Sequence, residues 1–361
     1  MAAFRIIPQL NPPSKSFKHD NTTTMTFIRA MMLRHALIGL LVACTLATAF
    51  VLPSASISTT THKSSSLHAA TNEGFIQVSR PDGSEHQLAY RVVRPMSLTS
   101  AQAAPIVALH GGPSIPSNYL YPLEDVVPYR SIVFYDQLGC GKSDEPTDIT
   151  QYSIQDSVED LKVLLKKLGV RRFHLYGQSY GGILAFEYMK SVANNSQDSN
   201  DDAKCLSAIL SSAPTNVAQV EGEFVRLLDE LKKLNKKDND EELTDAELEE
   251  LFKVNHQCRL PEFPTKLKDA YANAGSVWRG TDAIKDYVAT LPNEGASRMP
   301  SALIMRGEYD FVSEECIESW KSAFNTKFLR YKTLQGCSHH GLFEDGATYG
   351  ELIDSFCSEY D

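Results

Sequence analysis

The chain has 361 residues, 42% of them hydrophobic, enough for one large core with an inserted subdomain or for two small domains. Residues 1–70 hold six Lys/Arg and one acid, Asp20, and the remainder carries a net charge of −15. So acidic a body is a poor general binder of nucleic-acid phosphates. The composition excludes disorder over most of the length, and no internal repeat, Cys/His metal-ligand spacing or P-loop is present.

The N-terminus reads as an address. Arg29 and Arg34 precede an apolar run, Ala36 to Ala47, that ends in Ala47-Thr48-Ala49 and then Phe50. That is a positive n-region, an h-region and an A-x-A cleavage signal. Residues 54–72 are rich in Ser and Thr and hold no acid, as in a transit peptide. Together they resemble the bipartite presequences of algae with complex plastids, which implies a plastid destination; secretion with a Ser/Thr spacer is the alternative. The apolar run is shorter than the ~20 residues a membrane span needs, so no stable anchor is expected after processing. Residues 1–72 are read as the presequence, with the signal peptide at about 25–49 and the transit-like part at 50–72.

The mature chain then alternates strands and helices. Phe75 to Val93 predicts a hairpin about Pro81-Asp82-Gly83. Ile106–Leu109 and Ile132–Tyr135 are short apolar runs, and Ile154, Val158, Leu161, Leu164, Leu165 and Leu168 share one helical face. Phe173–Tyr176 predicts a strand that enters Gly177-Gln178-Ser179-Tyr180-Gly181-Gly182, with a helix from Ile183 and a strand at Leu206–Leu210. From Val220 to about Leu291 the chain reads as helical and highly charged, with a capping box at Thr244-Asp245-Ala246-Glu247. Strands resume at Ala302–Met305 and Phe328–Leu334, and a helix closes the chain. The fold expected is α/β, an α/β-hydrolase fold: a mostly parallel sheet with helices on both faces, and an inserted helical cap. The core is assigned to residues 73–213 and 293–361, the cap to 214–292. Seven cysteines at irregular spacing, Cys44 among them in the leader, read as reduced and mostly buried thiols.

Three motifs carry chemistry. Gly177-x-Ser179-x-Gly181 between a strand and a helix predicts a nucleophile elbow, a turn so tight that only small residues flank the serine. Asp310 follows a later strand and His339 the last one, in the chain order Ser, Asp, His that this fold uses. The assignment is Ser179 as nucleophile, His339 as general base and Asp310 as the group that orients it; His340 is the competing histidine. His110-Gly111-Gly112-Pro113 follows a strand, and the backbone N–H groups of Gly112 and Tyr180 are the expected oxyanion-hole donors.

These motifs, with Phe134-Tyr135-Asp136-Gln137-Leu138-Gly139-Cys140-Gly141-Lys142-Ser143 and His256-Gln-Cys-Arg-Leu-Pro-Glu-Phe-Pro264, resemble the prolyl aminopeptidases, especially the tricorn-interacting aminopeptidase branch. The resemblance covers roughly residues 73–361. It implies removal of N-terminal residues, proline among them, from short peptides, with no cofactor and no metal. Two departures touch the carboxylates with which that family anchors the substrate amine. A G-P-N-E-F stretch of the cap is missing between Tyr271 and Tyr287, and Phe311 stands where a carboxylate follows the aspartate. Glu221, Glu223, Glu308 and Glu314 are the candidate replacements. A small peptide or small-molecule substrate is expected; an esterase or amidase for uncharged substrates and a non-catalytic binding protein are the alternatives. Nothing in the sequence sets an oligomeric state.

Overall fold

The computed structural model describes residues 68–95, 103–194, 203–235, 242–293 and 298–361. The signal peptide and most of the transit-like segment lie outside them. One eight-stranded sheet runs in the order β1-β2-β4-β3-β5-β6-β7-β8. The strands are β1 (His68–Ser79), β2 (Glu85–Pro95), β3 (Ile106–Leu109), β4 (Ile132–Tyr135), β5 (Arg172–Gln178), β6 (Lys204–Ser211), β7 (Ser301–Gly307) and β8 (Leu329–Leu334). Strand β2 alone runs against the others. Strand β1 starts at His68, five residues inside the stretch read as leader, because its backbone pairs with β2 as far as Pro95.

The apolar runs are short and continuous because the sheet is covered on both faces. Alternate residues feed two cores. Val107, Leu109, Leu175 and Ile304 face one side, against Leu161, Leu164, Ile183 and Phe186 of the helices α1 (Ile154–Leu168) and α2 (Tyr180–Asn194). Ile106, Ala108, Tyr176 and Leu303 face the other, against the C-terminal helix. Helix α1 starts where Ser153 Oγ accepts the Asp156 N–H at 2.9 Å and stops at Gly169, φ 68°. Buried Arg80 at the end of β1 forks onto Asp160 of α1 at 2.7 and 2.9 Å, tying the hairpin to the helix layer.

Between β6 and β7 the chain leaves the sheet for α3 (Val217–Leu234), α4 (Asp245–Phe252), a π turn at Lys253–Gln257 and α5 (Thr265–Ala272). Helix α4 carries the predicted capping box, Thr244 with Glu247. Phe224, Leu227, Leu228, Leu231, Leu248 and Phe252 give this region its own small core. Helix does not continue to Leu291 as the charge pattern suggested. Residues 273–293 instead run as a loop with one 3₁₀ turn at Thr281–Ile284. Backbone bonds hold this loop down, from Val217 N–H to Tyr287 O (3.1 Å) and from Ala289 N–H to Thr215 O (2.7 Å). The last helix is α6 (Gly346–Ser358). The six cysteines from Cys140 to Cys357 are free thiols, all buried except half-buried Cys205.

Candidate active site

Four loops leaving the C-terminal edge of the sheet converge above β5, where parallel α/β sheets hold their ligands. The turn from β5 to α2 carries Ser179 at φ 55°, a left-handed conformation that costs a side-chain-bearing residue energy. Its neighbours impose it: Ser179 N–H donates to Ser211 O at 2.8 Å, and Ser179 O accepts the Gly182 N–H at 2.9 Å. A Cβ on Gly177 would run into the Gly181 carbonyl, and one on Gly181 into the Leu109 carbonyl of β3. The glycines therefore serve close approach, as the motif requires.

Asp310 and His339 meet from the loops after β7 and β8. Asp310, 3% exposed, accepts His339 Nδ1–H at 2.8 Å and the Val312 N–H at 2.9 Å on the same oxygen, Oδ1. Because the carboxylate accepts the hydrogen bond from Nδ1–H, Nε2 is the ring nitrogen left to act as an acceptor. Asp310 Oδ2 is buried and has no hydrogen-bond partner among the described residues. The Ser179 hydroxyl and His339 line the same cavity, with no hydrogen bond between them among the described residues. Such bonds often tighten only once substrate is bound.

His340 is engaged elsewhere. Its Nε2 accepts the Tyr271 hydroxyl at 3.1 Å. Burial, and then neighbouring His339, push its imidazole well below the ordinary value, so the ring is neutral.

The HGGP loop presses on the elbow. A Cβ on Gly111 would come within 3.1 Å of Ser179 Cβ. Gly112 sits at φ 121° before a cis bond to Pro113. The N–H groups of Gly112 and Tyr180 have no acceptor among the described residues, and both residues line the cavity. Tyr180 opens α2, so its N–H is one of the donors a helix start leaves free, at the positive end of the dipole. His110 is a structural member of this loop. Its Nε2 accepts the Gln137 N–H (2.8 Å), and Gln137 Nε2 donates to His110 O (2.9 Å). Asp136 holds the next loop by accepting from Ser117 N–H (2.8 Å), Ser117 Oγ–H (2.7 Å) and Lys142 N–H (2.9 Å).

Two further groups join these loops, Tyr119 with Gln178, and the π turn that leads into the His256–Pro264 stretch. Tyr119 Oη accepts the Gly111 N–H at 2.7 Å and donates to Gln178 Oε1 at 2.7 Å, while Gln178 Nε2 donates to His339 O at 3.3 Å. The π turn reaches down from the cap. His256 O accepts the His339 N–H (3.3 Å), Gln257 O accepts the His340 N–H (3.2 Å), and His256 Nδ1–H donates to Tyr309 O (2.9 Å). Phe311 stacks on His339 with ring centroids 4.1 Å apart.

The cavity above Ser179 has a volume of about 1080 Å³, its open mouth included. Its cap wall is largely apolar, with Val217, Val220, Phe224, Phe252 and Ile284, and Gln257, Arg279 and Thr281 are its polar members. None of the four candidate glutamates lines it. Glu223 pairs with Arg226 (2.6 Å), Glu308 accepts the Gly336 N–H (2.9 Å), and Glu314 is exposed in the turn that starts at Ser313. Glu221 is buried on α3, its Oε1 without a hydrogen-bond partner among the described residues. No three His, Cys, Asp or Glu side chains among the described residues form a metal-sized cluster.

The family profile for the alpha/beta hydrolase fold matches residues 104–346. A proline iminopeptidase of Saccharolobus solfataricus is 30% identical over 280 residues, 70% of this chain and 84% of its own length. The chain belongs to the proline iminopeptidase family of α/β hydrolases, and it is a hydrolase. The proline iminopeptidase of Lactobacillus delbrueckii subsp. bulgaricus is 27% identical over 290 residues, 72% of this chain and 91% of that one. Among solved structures, proline iminopeptidase from Mycobacterium smegmatis superposes with a TM-score of 0.61 at 18% identity, over 80% of this chain and 98% of its own. At that identity the superposition speaks for the fold alone.

Proposed function

We propose that this chain is a serine hydrolase that releases N-terminal residues, proline among them, from short peptides through an acyl-enzyme. The observation that carries the reading is the convergence of an elbow serine, a histidine bonded to a buried aspartate and two unpaired N–H groups on one cavity. Ser179 Oγ attacks the scissile carbonyl while His339 Nε2 takes its proton, and Asp310 stabilises the imidazolium that forms. The tetrahedral oxyanion sits on the N–H groups of Gly112 and Tyr180, aligned before the charge develops. His339 passes the proton to the leaving amine, and water then repeats the sequence on the acyl-Ser179 ester.

A second reading, an esterase or amidase for substrates lacking a free amine, draws on the missing carboxylate. An ammonium in this cavity meets no anion in the wall among the described residues, and burying an unpaired charge is costly. The deciding experiment is hydrolysis of a proline arylamide with its amine free and with it blocked, beside Ser179→Ala. Cleavage of the free form alone, lost in Glu221→Gln, supports the peptidase. Cleavage of the blocked form alone moves the assignment to an amidase. A fluorophosphonate that fails to label Ser179 in the intact protein would leave only a ligand-binding role. The working compartment we propose is the plastid, and a fluorescent fusion of residues 1–72 found in the medium would replace it with secretion.

A further inference from the structure

The charge inventory of the cavity points to a substrate class. Among the described residues its wall contains no Asp or Glu and a single Lys or Arg, Arg279. Arg279 is half-buried, and no hydrogen bond or ion pair holds its guanidinium among the described residues. The carboxylate whose field reaches it is Glu145. That group is exposed, and its Oε1 already accepts Ser276 N–H (2.5 Å), Ser276 Oγ–H (2.9 Å) and Val277 N–H (3.3 Å). Burial pulls the Arg279 guanidinium below its ordinary value, and the field of Glu145 offsets that desolvation only in part.

Its position is fixed relative to the reaction. Gly275 N–H donates to Ser114 O at 2.9 Å, Ser114 Oγ donates to Trp278 O, and Gly280 N–H donates to Pro113 O at 3.5 Å. Residues 275–280 are thus fastened to the loop that presents the Gly112 N–H, with Arg279 one residue from the last bond. We propose that Arg279 holds a carboxylate carried by the substrate, so that the site selects singly anionic acyl compounds or short peptides with a free C-terminus. The proposal rests on Ser179 as the nucleophile. A planar guanidinium matches a carboxylate with two parallel hydrogen bonds. With one cation in a mostly apolar wall, a dianionic phosphate would keep an unbalanced charge, and an ammonium set against Arg279 would be repelled. The carboxylate has two possible sources, the acyl part or the leaving part of the substrate, and both present the same group to Arg279.

The test uses the full chain. Fluorophosphonate labelling and p-nitrophenyl ester turnover, each with a Ser179→Ala control, first establish the nucleophile. The acyl arm compares p-nitrophenyl hemiglutarate with p-nitrophenyl valerate; the leaving-group arm compares prolyl-alanine with its C-terminal amide. We expect the carboxylate form to lead by about tenfold or more in kcat/KM on one arm, as a charge-assisted bond implies. Arg279→Gln should erase that ratio, and Arg279→Glu should reverse it in favour of the member of the pair that lacks the carboxylate, a gain that misfolding cannot mimic. A ratio of one on both arms, or one that survives Arg279→Gln, overturns the proposal while leaving Ser179 in place. An unlabelled Ser179 overturns the nucleophile instead. In that case 4-phenylbutyrate binding by thermal shift decides on Arg279, supporting it if Arg279→Gln weakens binding about tenfold and overturning it if binding is unchanged.

Discussion

Asp310 does two jobs with one oxygen: Oδ1 orders its own loop through the Val312 N–H and accepts the hydrogen bond from His339 Nδ1–H. Asp310→Asn offers an amide at the same size, so the loop persists while the imidazole can settle in the wrong tautomer. The expected outcome is a loss of about 10⁴ in kcat with the melting temperature little changed; a loss below tenfold would mean that Asp310 does not orient the base. At the elbow, Gly181→Ala drives a methyl group into the Leu109 carbonyl. Overpacking of this kind costs roughly 1–3 kcal/mol, readable as a lower urea midpoint. Ser179, Asp310 and His339 were visible in the chain because each sits in a local motif at a strand end. Tyr119 and Gln178 were not. Their hydrogen bonds join residues far apart in sequence, and neither residue type announces such a partner.

The cap acts on the site through an aromatic stack. Phe224 lies 4.0 Å from Phe252, Phe252 lies 5.8 Å from Phe311, and Phe311 covers the His339 ring. Phe252→Ala leaves a cavity worth roughly 3–5 kcal/mol and removes the support behind Phe311. Stability and kcat should fall together, with the pH profile retained; an unchanged kcat would show that Phe311 stands without the cap. Beneath the sheet, the buried Arg80–Asp160 fork bonds β1 to α1. Asp160→Asn leaves a buried guanidinium without its anion and should cost about 3–5 kcal/mol in chemical denaturation. The strand ladder was readable from apolar runs and the helices α1 and α3 from their period. The loop 273–293 was not, because its charged composition resembles the helices before it. What fixes it as a loop is tertiary: backbone bonds to Pro113, Ser114, Thr215 and Val217.

At the scale of the whole fold, four histidines among the described residues are held below their ordinary value of 6.5, each first by burial: His110, His174, His256 and His340. They are neutral in the folded protein at pH 7. As pH falls through about 6.5, the unfolded chain binds protons that the folded one refuses, so stability present above that pH is progressively lost. For fully buried His110 and His340 the slope approaches about 1.4 kcal/mol per pH unit each. The urea midpoint should drop between pH 7.5 and 5.5; a level midpoint would mean that these rings are protonated in the fold. The mostly parallel sheet and the placement of the site at its C-terminal edge were legible from the alternation of strands and helices. The charge character of the cavity was not, since it depends on which of many acidic and basic side chains the cap turns toward Ser179.

The bonds that fasten residues 275–280 to the Pro113–Ser114 segment also bear on how this hydrolase can diversify. The cap segment proposed to choose a substrate and the loop proposed to stabilise its oxyanion are one mechanical piece. A cap transplanted from a relative would arrive without its matching loop and disturb the hole it is meant to serve. New specificities in this lineage are therefore expected to come from side-chain changes on a retained frame, or from exchange of cap and loop together, and swaps of the cap alone should yield folded but sluggish chimeras.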